Sequence, residues 1–142
     1  MTNQDQEIDI TGGCQCGAIR YEIDVSPDDV AYCHCRKCQK AYGNVFGIFA
    51  IFPQEALRFT KGKPSYFRTS ERMRRGFCAN CGTPLVSPNE TGQVGVQVGT
   101  LDSPEQFPPN WHSGVESQVS WLSIDDGLPK WTTDGDPFYD DK

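Results

Sequence analysis

The chain has 142 residues, the size of one ordinary domain, and no apolar run approaching the ~20 residues that a membrane-spanning helix needs. Fourteen glycines and ten prolines, together about one residue in six, predict many turns and short strands in place of long helices. The net charge of −6 conceals an asymmetry: residues 36–75 hold ten Lys or Arg against two acids, a net +8, so the rest carries −14 and would repel a long polyanion such as nucleic acid.

The opening Met-Thr-Asn-Gln-Asp-Gln-Glu is acidic and polar, unlike a signal peptide, which predicts a frayed start and a cytoplasmic location. Residues 1–10 read as an N-terminal tail. Ile19, Tyr21, Ile23 and Val25 alternate with Ala18, Arg20, Glu22 and Asp24, the period of a half-buried strand. Ser26-Pro27-Asp28-Asp29 is a turn. Between Cys33 and Gly43 the chain lacks β-branched residues, and a short helix is expected after Cys38, stopped by Gly43-Asn44. Val45 to Phe52 reads as a buried strand. Leu57-Arg58-Phe59 and Tyr66-Phe67-Arg68, either side of Lys61-Gly62-Lys63-Pro64, read as a hairpin. Arg74 to Phe77 leads as a strand into a cysteine pair, and Val94, Val96 and Val98 alternate again. Ser103-Pro104 and Phe107-Pro108-Pro109 predict an irregular connection, and Val119 to Leu122 one more short strand. The tail from Asp125, with six acids, is expected at the surface or partly disordered. The aromatics Phe46, Phe49, Phe52, Phe59, Tyr66 and Phe67 have strand spacing and are expected in the core rather than stacked on bases.

Seven cysteines carry the chemistry, in the order Cys14-x-Cys16-Gly17, Cys33-His34-Cys35-x-x-Cys38 and Cys78-x-x-Cys81-Gly82. Seven cannot all pair, and a reducing compartment would keep them as thiols, so metal ligation is the leading reading. The two short-spaced pairs, each followed by a glycine able to take a left-handed turn, supply four thiolates: Cys14, Cys16, Cys78 and Cys81, the closed tetrahedral set of a structural zinc. In the triplet, Cys33 and Cys35 point to one side of an extended segment and His34 to the other, with Cys38 brought back by a turn. Three thiolates leave zinc one ligand short. An open or water-capped position, closure by His112, and a redox cluster all satisfy the spacing.

A zinc with three thiolates is anionic and a weak Lewis acid, which argues against a hydrolase. It suits a second thiol held as thiolate, with the neighbouring Arg and Lys residues offsetting the charge and holding the carboxylates of a small anionic thiol. With two histidines in the chain, a Ser-His-Asp or Cys-His pair is disfavoured, and no phosphate-binding glycine loop occurs.

Gly12-Gly13-Cys14-x-Cys16-Gly17, Cys33-His34-Cys35-x-x-Cys38, Phe77-Cys78-x-x-Cys81-Gly82-Thr83-Pro84 and the late Trp121-Leu122-Ser123-Ile124-Asp125-Asp126-Gly127-Leu128-Pro129 resemble the glutathione-dependent formaldehyde-activating enzyme family, also called the GFA or CENP-V-type domain. The resemblance covers roughly residues 11–131 and leaves 132–142 as an acidic C-terminal tail. It implies a mainly β, Mss4-like fold of several coiled antiparallel sheets with a short helical segment. It implies a structural zinc at Cys14, Cys16, Cys78 and Cys81 and a catalytic zinc at Cys33, Cys35 and Cys38, with carbon–sulfur lyase chemistry joining glutathione and formaldehyde as S-hydroxymethylglutathione. No glutathione-contacting residue maps onto a position of this chain. The alternative is a non-catalytic zinc module that binds a protein or nucleic-acid partner.

Overall fold

The computed structural model describes residues 8–135; the expected N-terminal fraying at 1–7 and most of the acidic tail, residues 136–142, lie outside them. Ten strands and one helix follow in the order β1 (Ile10–Gly13), β2 (Arg20–Ile23), β3 (Asp29–Cys33), α1 (Arg36–Tyr42), β4 (Gly47–Pro53), β5 (Leu57–Lys61), β6 (Ser65–Arg68), β7 (Arg74–Phe77), β8 (Pro84–Pro88), β9 (Gln93–Gln97) and β10 (Trp111–Ser113). They form a three-stranded sheet, β1-β2-β5, and a seven-stranded sheet, β10-β3-β4-β9-β8-β7-β6. Pairing is antiparallel throughout except between β10 and β3, which run parallel. Among the described residues no helix is long and apolar enough to cross a membrane.

The large sheet buries both faces, and strand alternation sorts its residues between them. Val30, Ala50, Phe52, Val94 and Val96 face the small sheet and pack with Ile19, Tyr21 and Ile23, the alternating residues of the predicted first strand. Ala31, Cys33, Phe49 and Ile51 take the opposite face and pack with Cys38, Met73 and Trp111 beneath α1. The Tyr21 hydroxyl meets Thr100 at 2.7 Å, and Asp102 receives the Arg20 guanidinium and the Thr11 hydroxyl, tying β1 and β2 to the segment after β9.

Four expectations need correction. The helix starts at Arg36 and contains Cys38, because the Cys35 sulfur caps it by accepting from the Cys38 N–H. Gly43 ends it in the left-handed conformation, as its sequence position predicts. The hairpin of residues 57–68 does not form: β5 pairs with β2 and β6 with β7, so the Lys61-Gly62-Lys63-Pro64 stretch passes from one sheet to the other. Residues 119–122 make no strand, and Trp121 is 74% exposed; the late strand is β10. Of the six aromatics, Phe49 and Phe52 are buried, but Tyr66 and Phe67 on the edge strand β6 are exposed. The strands β1, β3, β8 and β10 had no sequence expectation.

Candidate metal and thiol site

The four-Cys cluster forms where the two sheets meet. Cys14 and Cys16 follow β1 in the small sheet, while Cys78 and Cys81 follow β7 in the large one. Each pair sits in a tight turn: Gly17 N–H donates to the Cys14 carbonyl and Gly82 N–H to that of Cys78, with φ of +81° and +82° at the two glycines. Backbone N–H groups of Ile19 and Cys81 point at the Cys14 and Cys78 sulfurs, 3.3 and 3.5 Å away. Sulfur–sulfur separations of 3.6 Å (Cys14–Cys16) and 3.8 Å (Cys16–Cys78) match the ~3.8 Å edge of a tetrahedron with ~2.3 Å metal–sulfur bonds. Hydrogen bonds from the Thr83 hydroxyl and backbone lower Cys81 to about 5, so one ligand is already inclined to the thiolate form. The donor set fits a structural zinc.

The triplet lies on the opposite face of the large sheet. Cys33 ends β3, Cys35 caps α1 and Cys38 occupies its first turn; among the described residues these three form the second group of ligand atoms within 4.8 Å of one another. Cys33 and Cys38 are buried, Cys35 half-buried. The sulfurs stand 3.3 Å (Cys33–Cys35) and 2.8 Å (Cys33–Cys38) apart, so a metal would spread them toward the ~3.8 Å tetrahedral edge. Hydrogen bonding with the other two thiols, first the bond Cys33 donates to Cys35, and then burial push Cys33 well above the ordinary thiol range. Cys38 is lowered by its bond to Cys33 but raised more by Cys35 and burial, to about 11. The two buried thiols, Cys33 and Cys38, resist ionisation and need a cation beside them to become ligands, which this donor set suits.

His34 turns away from the sulfurs, as the alternation predicts. Its Nε2 lies 3.0 Å from Nδ1 of His112, whose Nε2 reaches the Asp126 carboxylate at 2.9 Å. Both nitrogens of His112 are thereby engaged, which removes His112 as a fourth ligand.

A cation that reaches the triplet is Arg75 on β7. Its guanidinium donates to the Tyr42 hydroxyl at 2.6 Å and approaches the Cys38 sulfur at 3.9 Å. Arg74, its neighbour, points outward and lies over the Tyr66 ring. Arg75 and Tyr42 also line a cavity of about 450 Å³ between α1 and the β6–β8 face, with Lys37 and Lys40 on one side and Phe67, Leu85 and Val86 on the other. That volume is in the range of small-molecule sites. Gln97 donates to the same Tyr42 oxygen at 2.7 Å, and burial raises Tyr42 to about 12, so it remains a phenol. Tyr42 and Arg75 meet across 33 residues, and no local signal marks Tyr42 in the sequence.

The sequence model of the glutathione-dependent formaldehyde-activating enzyme family matches residues 9–117. A Penicillium rubens protein bearing that family's name is 31% identical over 77 residues, which is 51% of this chain and 40% of that protein's length. This chain's match thus spans well under half of the curated relative. A crystal structure of a Rhodobacter sphaeroides protein superposes with a TM-score of 0.56 at 21% identity, covering 86% of this chain and 99% of the other. The mainly β, Mss4-like fold class agrees, with two sheets and one parallel pairing in place of purely antiparallel sheets.

Proposed function

The chain belongs to the glutathione-dependent formaldehyde-activating enzyme family, and on that premise we propose that it is a zinc-dependent carbon–sulfur lyase or synthase acting on a thiol–aldehyde adduct. The substrate pair would be glutathione, or a related small anionic thiol, with formaldehyde. One observation carries the reading: the 450 Å³ cavity is lined by Arg75 and Tyr42, and the Arg75 guanidinium reaches the Cys38 sulfur. Cys33, Cys35 and Cys38 would hold a zinc that offers a soft open position favouring a thiol in its thiolate form. Cys14, Cys16, Cys78 and Cys81 would hold a second, structural zinc that joins the sheets.

This chain's own residues then divide the work. Arg75 offsets the negative charge gathered beside Cys38 and orients the entering sulfur. Lys37 and Lys40, on the cavity wall, meet the ligand's carboxylates. Phe67, Leu85 and Val86 shield the sulfur from water. In the synthetic direction the sulfur attacks the carbonyl carbon, a carbon–sulfur bond forms, and the carbonyl π pair moves to oxygen. The Tyr42 hydroxyl, held as a phenol, hydrogen-bonds that oxygen, and water delivers the final proton. The functional unit would run over residues 11–131, since Asp126 and Lys130 contact β10. Seven thiols without a disulfide suit a reducing cytoplasm.

The test is two-dimensional NMR exchange between glutathione and 13C-formaldehyde at catalytic protein concentration, with and without a Cys35→Ser substitution. Exchange faster than the uncatalysed background, lost in Cys35→Ser, is the expected result. Exchange no faster than background with either glutathione or 2-mercaptoethanol would overturn the reading and favour the non-catalytic module.

A further inference from the structure

A line of three hydrogen-bonded side chains runs behind the triplet, and the proposed chemistry does not use it. Asp126, in the loop after Trp121, accepts from His112 Nε2 at 2.9 Å and from the Leu128 N–H at 3.1 Å. His112 Nδ1 lies 3.0 Å from His34 Nε2. Both rings are 0% exposed, and Tyr32 stacks on His112 with the planes 6° apart and centroids at 4.5 Å. The rings occupy one face of β3 and β10, while Cys33 occupies the other.

The donors and acceptors dictate where the protons are. Partial burial raises the Asp126 carboxyl, but hydrogen bonds from the Leu128 N–H and His112 outweigh it and leave it below its ordinary value, hence ionised. A carboxylate only accepts, so His112 Nε2 carries the hydrogen. In a neutral ring this leaves Nδ1 a bare acceptor, and His34 must donate to it from Nε2. His34 Nδ1 is then bare as well; it is buried and has no hydrogen-bond partner. Asp126 therefore selects the tautomer of a ring two hydrogen bonds away.

The His34 backbone is clamped by the same segment. Its N–H donates to Ser113 O at 2.9 Å, and its carbonyl accepts from Gln39 Nε2 at 2.8 Å, whose amide also donates to Ser117 O at 2.9 Å. Gly114, at φ +67°, packs so closely on Cys35 that a Cβ there would lie 2.8 Å from the Cys35 nitrogen.

We propose that Asp126 and His112 are positioning residues for the three-Cys site: through the His34 ring they fix the turn that carries Cys33 and Cys35. The inference rests on the triplet binding metal, as proposed above, but its effect is also legible without metal. His34 is the peg between two ligands, and only the present Asp126–His112–His34 proton order leaves its buried, partnerless Nδ1 without a hydrogen; the reverse order would bury an unsatisfied donor there. An amide at position 126 can present N–H to His112 Nε2 and invert that order through both rings.

The experiment compares wild type with Asp126→Asn. Histidine 15N spectra are expected to show bare Nδ1 and protonated Nε2 on both rings in wild type, inverted in the variant. Zinc competition against a chromophoric chelator should show the triplet metal held roughly 10–100-fold more weakly, as for other outer-shell partners, with the four-Cys metal unchanged as an internal control. An unchanged triplet affinity in a folded variant, or an unchanged His34 tautomer, overturns the proposal. If wild type takes up no metal at the triplet, the functional reading fails instead. Positioning is then read from iodoacetamide labelling of half-buried Cys35 against exposed Cys16: faster Cys35 labelling in Asp126→Asn supports it, and an equal rate overturns it. Should Asp126→Asn fail to fold, His112→Gln is read the same way.

Discussion

Replacing Arg75 by Gln tests the electrostatics of the site most directly. The Arg75 guanidinium is buried and lies 3.9 Å from the Cys38 sulfur. A unit charge at that separation is worth about 4 kcal/mol at an effective dielectric of about 20, and about 2 kcal/mol for a ligand sulfur seated at ~7 Å. The expected loss of affinity for a thiol bound as thiolate is therefore roughly 30-fold at the lower figure, by the usual 1.4 kcal/mol per decade. The loss should be similar for glutathione and for 2-mercaptoethanol, because Arg75 acts on the sulfur they share. Lys37→Gln with Lys40→Gln should weaken glutathione alone, since only it brings carboxylates to the cavity wall. Arg74→Gln is the control: it removes the same charge three bonds along the chain, but from the outer face over Tyr66. The assay is calorimetric titration of zinc-loaded protein in two buffers of different ionisation enthalpy, so that proton release is counted with the heat. Equal losses from Arg74→Gln and Arg75→Gln would refute a local charge effect, and no loss from Arg75→Gln would refute the site itself.

The two cysteine clusters should fail differently. A structural zinc contributes on the order of 10 kcal/mol, comparable to a domain's whole stability of ~5–15 kcal/mol, so Cys78→Ser should unfold the protein. Cys35→Ser should leave a cooperatively melting protein short of one zinc equivalent, checked by calorimetry and metal analysis; matching behaviour in both variants would contradict the division. The acid limb of stability should carry an Asp102 contribution. Its carboxyl is lowered by hydrogen bonds from Arg20 and then Thr11, so stabilisation is full above the unfolded carboxylate range and is lost as pH falls through the lower folded value. Arg20 and Asp102 are both more than a third exposed, and screening holds the pair to under about 1 kcal/mol. Asp102→Asn should flatten the melting-temperature profile below about pH 4 by that amount.

Spacing alone sorted the cysteines, because Cys-x-Cys and Cys-x-x-Cys turns are local geometry: two ligands and a left-handed glycine within five residues. Alternation likewise placed Tyr21, Ile23, Val94 and Val96 in the core and turned His34 away from Cys33. The hairpin of residues 57–68 was misread because turn residues mark where a chain bends but not which strand it next meets. β5 finds β2, where Tyr21 and Phe59 pack edge to face, and β6 finds β7. The strand expected at 119–122 was a matter of composition, and among the described residues Trp121 there stays exposed.

The sequence by itself determined the grouping of the cysteines, the mainly β class and the basic middle. Only the tertiary structure decided which basic residue serves the site. Arg74 and Arg75 are chemically the same, but adjacent strand residues face opposite sides of the sheet, so one meets Tyr42 and Cys38 while the other meets solvent. It also decided that His112 backs the triplet and does not ligate it. That outcome depends on β10 lying parallel beside β3 and on Asp126 arriving at the far side of the ring. The first brings together segments 78 residues apart at the two rings, and the second depends on a loop 14 residues further on; contacts of this kind follow from how whole sheets and their connections pack, which no local pattern encodes.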